Sequence, residues 1–470
     1  MSEILTPDLC IIGAGAGGLA LAKGAAALGL KVVLVEKHRL GGQRLNTSCI
    51  PSKALIAAAT AAHQMQRGAE FGISAVDQHV NYSVVRNHIA SAMAQRAPYD
   101  AKARLTGLGV RVIEAAGRFI NKDTCSAGTY LIKASKFVVA TGSSPIIPVI
   151  PGLEMIRYLT TDTLFDEEII PKHLAILGAG SRAIEIGQAY RRLGCEVTLI
   201  EQRQALGELD AELKDPALAA CRREGVVIRD ASVITRLEPR GLGLRAFVEG
   251  PDGKSTLDAS HLLLAVGRQP NVHNLGFDPA GVPIKDGRIE VDARLRTANK
   301  LIYAVGDVVG EGCFTHLAEY QAECVLTGRR AQPPMTYLPR VVYSDPEIAE
   351  IGLSEAQARA ERHKIAVYRW PMIENDRAYV DGTKGGLIKI ITQRNGVILG
   401  VGIVGEGAGE MLALWSLALQ RRLRLSDLAD LRLPYPSLSA IAHQAALQVP
   451  GTGPRPSAMM RLATLFKRAR

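Results

Sequence analysis

The sequence is short of the features that mark secreted, membrane or nucleic-acid-binding chains. Its seven cysteines, Cys10, Cys49, Cys125, Cys195, Cys221, Cys313 and Cys324, are scattered, with no Cys-x-x-Cys and no paired framework. That excludes a disulfide-stapled scaffold and fits a reducing compartment, so the expected location is the cytoplasm. Long apolar runs are missing too. The first is interrupted by glycines and by Lys23, which leaves neither a signal peptide nor a membrane span to expect. Aromatic residues make up 5% of the chain, and no basic block carries them interleaved. A net charge of +10 therefore does not imply a nucleic-acid partner, and phosphate-bearing cofactors account for part of the excess.

Glycine, by contrast, is abundant. The 46 glycines exceed average usage and point to several nucleotide-binding turns, while 470 residues ask for two to four domains. Leu9-Cys10-Ile11-Ile12 reads as a short strand, followed by Gly13-Ala14-Gly15-Ala16-Gly17-Gly18, an alanine-rich helix and a strand Lys31–Val35 ending at Glu36. This is the dinucleotide fingerprint. Gly13 permits the turn, Gly15 admits a pyrophosphate, Gly18 lets helix and strand pack, and Glu36 binds ribose hydroxyls. A second copy follows: strand Leu174–Leu177, turn Gly178-Ala179-Gly180, Ala183 as the third small residue, a helix through Glu185 to about Leu193, and a strand ending at Glu201. Two such folds imply two dinucleotides. Glu201 accepts bonds from a ribose 2′-OH and repels a 2′-phosphate, which favours NADH; Arg203 nearby keeps NADPH open.

Between the fingerprints lies Gly41-Gly42-Gln43-Arg44-Leu45-Asn46-Thr47-Ser48-Cys49-Ile50-Pro51-Ser52-Lys53. The glycine pair lets the backbone pass close to a bound group, and a helix is expected to begin near Pro51. Cys49, just before it, sits where free N–H groups and the helix dipole favour a thiolate, and a cation at Arg44 adds to that. The stretch resembles the flavoprotein disulfide reductases, whose motif here is Gly-Gly-x-Cys-x-x-x-x-Cys-x-Pro-[Ser/Thr]-Lys. This chain keeps the second cysteine and the lysine but has Arg44 in place of the first cysteine, so the family's redox disulfide cannot form.

The resemblance extends over about residues 8–448. It implies an α/β fold of two doubly wound, Rossmann-like dinucleotide-binding domains and a C-terminal α+β dimerisation domain. The boundaries drawn from it are 1–148 with 269–335 for FAD, 149–268 for NAD(P), 336–448 for dimerisation, and 449–470 for a linker and basic tail. Thr141-Gly142 resembles the family's exit from the first domain, and Gly267, in Ala265–Asn271, its return crossing. Asp307 resembles the aspartate on the ribityl chain of FAD, and Phe314-Thr315-His316-Leu317-Ala318 opens a helix under the flavin ring. By itself, His316 reads more often as a packed or solvated histidine than as a catalyst. In the last domain, Ser354–Gln357 is a capping box and Asn395-Gly396 a hairpin turn. Met459–Arg470 could form a membrane-surface helix, against a frayed end or a helix docked on its own dimer.

The resemblance also assigns chemistry. FAD and NAD, with NADP open, are the implied cofactors; no metal site is implied. Lys53 and Glu185 match the ion pair beside the flavin. Ser181 and Arg182 stand where a gating tyrosine is frequent. Tyr435, in Pro434-Tyr435-Pro436-Ser437, occupies the position of the family's acid–base histidine, contributed by the second subunit of a homodimer, and Ala440 that of its orienting glutamate. Tyrosine is a poor base at neutral pH. The reading is an FAD enzyme that passes electrons from NAD(P)H to a small acceptor, with Cys49, Lys53, Glu185, Arg44 and Tyr435 around the reaction. Two alternatives stay open: disulfide reduction through a thiol distant in sequence, and a non-catalytic flavin-binding subunit.

Overall fold

The computed structural model describes residues 3–74, 79–310, 312–331, 338–361 and 364–450. The basic tail falls outside them. Two compact units emerge, Met1–Ala205 with Glu224–Pro334, and Leu206–Arg223 with Met335–Arg470.

The first unit contains two five-stranded parallel sheets of the same design. In one, the fingerprint strand Leu9–Ile12 lies between Val32–Glu36 and Lys136–Val139, with Val110–Glu114 and Ile302–Ala304 at the edges. In the other, His173–Leu177 lies between Glu196–Ile200 and His261–Leu264, with Val227–Arg229 and Tyr158–Thr160 outside. Strands covered on both faces must be apolar throughout, and all four residues of Leu9–Ile12 are buried. In each sheet the glycine turn, at Gly13–Gly18 and at Gly178–Gly180, leaves the carboxyl end of a central strand, the position where open α/β sheets bind nucleotides. The two connections between the sheets pair as an antiparallel ribbon, Ser143–Pro145 with Arg268–Pro270. Thr141 fastens it by donating from Oγ1 to the Asn271 carbonyl, while Asn271 Nδ2 donates back to the Thr141 carbonyl.

Residues 82–107 do not form one continuous helix. Tyr82–Arg96 is a helix, Ala97–Asp100 a 3₁₀ turn, and Lys102–Gly107 a separate helix. Pro98 is the reason: it has no N–H to continue the ladder, and its ring clashes with the preceding turn. The break turns Asp100 into the interior, where it is 1% exposed. Cys49 also differs slightly from expectation, being the first residue of helix Cys49–Arg67 rather than a residue ahead of it.

The second unit is built on an antiparallel sheet in the order Arg340–Val342, Glu347–Gly352, Ile398–Gly405, Leu387–Gln393, Ile365–Pro371. Trp415, from helix Ala408–Gln420, is buried in its core with Ile390, Ile403 and Leu412. The Ser354 capping box forms in both directions, and the hairpin turns at Gly396. Helix Ala211–Arg223 groups with this unit. Leu213 fills the space above Gly402, where an added Cβ would lie 2.3 Å from its Cδ1. Buried Lys389 ties the same segment down through Asp210 at 2.7 Å and Glu212 at 2.6 Å.

Candidate active site

The two fingerprints are superimposable in their bonding. Ala14 N–H donates to Glu36 Oε2 at 2.7 Å, and His38 N–H to Oε1 at 2.8 Å. In the second copy Ala179 N–H donates to Glu201 Oε2 at 2.8 Å, and Arg203 N–H to Oε1 at 3.0 Å. Each carboxylate is thus fixed at the end of its second strand, with lone pairs remaining for ribose hydroxyls. Helices Ala16–Ala27 and Ser181–Arg192 start from these turns with no acidic residue in the first turn, so their free N–H groups favour a phosphate. A Cβ added to Gly15 or Gly180 would meet no protein atom within 4 Å. Both cradles are open on the side a pyrophosphate needs, and the residues present fit two dinucleotides.

Gly41 and Gly42 seat the motif of Cys49 against the first cradle. The Gly41 N–H donates to the Ala14 carbonyl at 3.0 Å, and a Cβ on Gly42 would stand 2.6 Å from the Gly15 Cα. Gln43 continues the contact, donating from Nε2 to the Ser143 carbonyl at 2.8 Å. Ser143 Oγ donates to Asp307 Oδ2 at 2.6 Å, and Arg268 Nε donates to Ser143 Oγ at 2.9 Å. Gly142, Gly267 and Asp307 therefore sit around one junction beside the glycine pair.

Cys49 Sγ lies 3.4 Å from Thr315 Oγ1, within hydrogen-bonding distance, so the first turn of helix Thr315–Thr327 meets the redox motif. Lys53, four residues on, donates from Nζ to Glu185 Oε2 at 2.8 Å. Glu185 is 7% exposed in its side chain, which makes it a buried partner and not a helix-surface charge. The pair joins the Cys49 helix to the helix of the second fingerprint. Arg182 makes a second such link, Nη2 donating to Ser48 Oγ at 3.2 Å.

Arg44 is placed otherwise than the sequence expectation of a cation on Cys49. Its Nη2 donates to Asp100 Oδ2 at 2.6 Å, while Lys23 binds the other oxygen at 2.8 Å. The guanidinium charge is matched by a carboxylate that the Pro98 break turned inward. Arg182, through Ser48, is the cation that reaches the Cys49 loop. His316 is exposed, its ring 5.6 Å from that of Phe314. In the second unit, the exposed Tyr435 donates its hydroxyl hydrogen to Asp376 Oδ2 at 3.0 Å. This bond to a carboxylate pushes the phenol above its ordinary value.

Several of these residues have no sequence signal of their own. Asp100 and Asp376 carry no motif. Thr315 lay inside a recognised stretch without a role, and Arg182 was visible only as a departure at the gate. All seven cysteines are free thiols. Among the described residues no group of His, Cys, Asp and Glu could hold a metal ion, and no helix is long and apolar enough to cross a membrane.

The model of the pyridine nucleotide-disulphide oxidoreductases matches residues 7–322, and that of their dimerisation domain residues 338–446. Mercuric reductase of Streptomyces lividans is 32% identical over 452 residues, covering 93% of this chain and 95% of the relative. Dihydrolipoyl dehydrogenase of Geobacillus stearothermophilus is 32% identical over 458 residues, covering 95% and 96%. Among solved structures, LpdA from Mycobacterium tuberculosis superposes with a TM-score of 0.84 at 26% identity, over 95% of this chain and 99% of its own. The HOCl-induced flavoprotein disulfide reductase RclA of Escherichia coli, as its Cu(II) complex, gives 0.85 at 24%, covering 96% and 100%, a likeness of fold. With paired fingerprints, the Cys49 motif and the last domain all in family order, the chain belongs to the pyridine nucleotide-disulphide oxidoreductases.

Proposed function

We propose that the protein is an FAD-dependent NAD(P)H oxidoreductase that delivers electrons to a small acceptor of the quinone or dye class without an intramotif disulfide. The observation that carries this reading is Arg44. It stands where the motif needs its first thiol, and its guanidinium is engaged with Asp100, 2.6 Å away. FAD, when bound, supplies a two-electron relay between nicotinamide and acceptor. The chain's own residues do the rest. Gly15 and Gly180 leave room for the two pyrophosphates, Glu36 and Glu201 hold ribose hydroxyls, and the Lys53–Glu185 pair keeps a fixed charge couple between the two nucleotide halves. Cys49 keeps a single thiol with Thr315 as its neighbour. In the homodimer that the last domain supports, Tyr435 faces the acceptor side of the partner's site.

NADH is the preferred donor, because Glu201 offers a carboxylate where a 2′-phosphate would sit. The test is turnover of purified protein with NADH and a quinone, against lipoamide and glutathione disulfide. Quinone reduction with disulfide rates at background supports the reading; lipoamide turnover at enzymatic rates overturns it.

A further inference from the structure

Tyr435 is 80% exposed, yet its hydroxyl is not free. The phenolic hydrogen is committed to Asp376 Oδ2, so the oxygen offers only lone pairs to whatever approaches from solvent. The arrangement is built from two directions. Asn375, 1% exposed, caps helix Asp376–Val380 by accepting from the N–H groups of Arg377 and Ala378. Its Nδ2 donates to the carbonyls of Ser437 and Leu438 at 3.1 and 3.3 Å, which stitches the Tyr435 loop to the start of that helix. The nearest cation along the chain, Arg377, is turned to Asp381. Among the described residues no Lys, Arg or His pairs with Asp376, whose carboxylate is exposed beside the ring.

We propose that the Tyr435–Asp376 pair is a specificity element that selects a cationic aromatic acceptor over an anionic one. The inference rests on the reading that Tyr435 faces the acceptor. Three features act in the same direction. The ring face attracts a cation, the phenolic oxygen presents lone pairs, and the carboxylate adds a full negative charge. Asp376 is a positioning residue: it fixes the rotor of the Tyr435 hydroxyl and sets the sign of the local field.

The experiment uses one quinone nucleus carrying either a trimethylammonium or a sulfonate group, with NADH as donor and the full chain as flavoprotein. A single charge at about 4 Å in a water-like medium is worth about fivefold, attractive for the cation and repulsive for the anion, so kcat/KM should favour the cation by up to about 30-fold at low salt, mainly through KM. The preference should shrink as salt is raised and fall in Asp376→Asn to the small remainder that the ring and phenolic oxygen supply, while Asp376→Glu retains more of it. A second readout does not depend on turnover. With meta-fluorotyrosine at position 435, its fluorine resonance should shift on adding an unreactive trimethylammonium-aryl probe without NADH. A shift with no charge preference in kcat/KM overturns the specificity inference and leaves the placement of Tyr435 standing. No shift with any acceptor or probe, in protein that turns over quinone, overturns the placement and this inference with it. Equal rates for both quinones in wild type and Asp376→Asn likewise refute the selection.

Discussion

Replacing Gly15 by valine separates cofactor binding from folding. Gly15 has φ −76° and ψ −169°, a conformation open to any residue, and a Cβ there meets no protein atom within 4 Å. The cost to the apoprotein is confined to a poorer helix cap, about 1 kcal/mol. The new side chain projects into the space where the pyrophosphate must approach. Losing one charge-assisted hydrogen bond of about 1.5–3 kcal/mol raises the FAD dissociation constant by about 10- to 100-fold, and losing two compounds it. Gly18 makes the contrast. A Cβ at Gly18 would sit 1.9 Å from the Gly13 carbonyl oxygen, so Gly18→Ala should damage the fold itself, by about 1–3 kcal/mol or more. The assay is FAD titration of apoprotein by flavin fluorescence quenching, with Tm compared between apo forms because bound FAD adds stability by mass action. Gly15→Val that stays yellow with a wild-type dissociation constant would refute the placement of the pyrophosphate. So would a Gly15→Val apoprotein that melts like Gly18→Ala.

The same contrast at Gly180, whose Cβ also points into open space, predicts that Gly180→Val retains FAD and loses NADH binding, read by equilibrium dialysis of both nucleotides. Glu201→Ala should narrow the preference for NADH over NADPH in stopped-flow flavin reduction; a wild-type preference for NADPH would show that Arg203 dominates. Anaerobic titration should bleach the flavin with one equivalent of NADH per FAD, since no second thiol shares the motif of Cys49; two equivalents in untreated protein would contradict this. Arg44→Ala leaves Asp100, whose side chain is fully buried, with Lys23 as its remaining cation, and should cost about 1–3 kcal/mol in denaturant unfolding. In the second unit, Arg369 and Lys389 pull the Glu212 carboxyl from 4.5 down to about 2. A depressed pKa gives stability that is present above the ordinary value and lost as pH falls towards the folded one. Acid unfolding between about pH 4.5 and 2, followed by the fluorescence of Trp370 and Trp415, which both lie in that unit, should therefore flatten in Glu212→Gln.

Much of the protein is local information, and the sequence by itself determined that part. A glycine that must make a tight turn, an acidic residue ending the next strand, and apolar strands with no polar alternation are set by short-range sterics and two-sided burial. Both Rossmann halves, the capping box at Ser354 and the hairpin at Gly396 are legible for that reason. That residue 44 is an arginine and offers no thiol is equally local. What the side chains of the site touch depends on partners 50 to 270 residues away, and no periodicity encodes that. Arg44 finds Asp100 because Pro98 breaks a helix and turns one carboxylate inward. Cys49 meets Thr315 because the chain returns to the first sheet after the second, and Arg182 reaches Ser48 and Lys53 meets Glu185 because two sheets are joined by a ribbon at residues 143–145 and 268–270. The segment 206–223 is tied into the second unit by buried Lys389, which binds Asp210 and Glu212. The pairing of Tyr435 with Asp376 is of the same kind: a buried asparagine stitches two loops 60 residues apart, and only the folded chain brings the acid to the phenol.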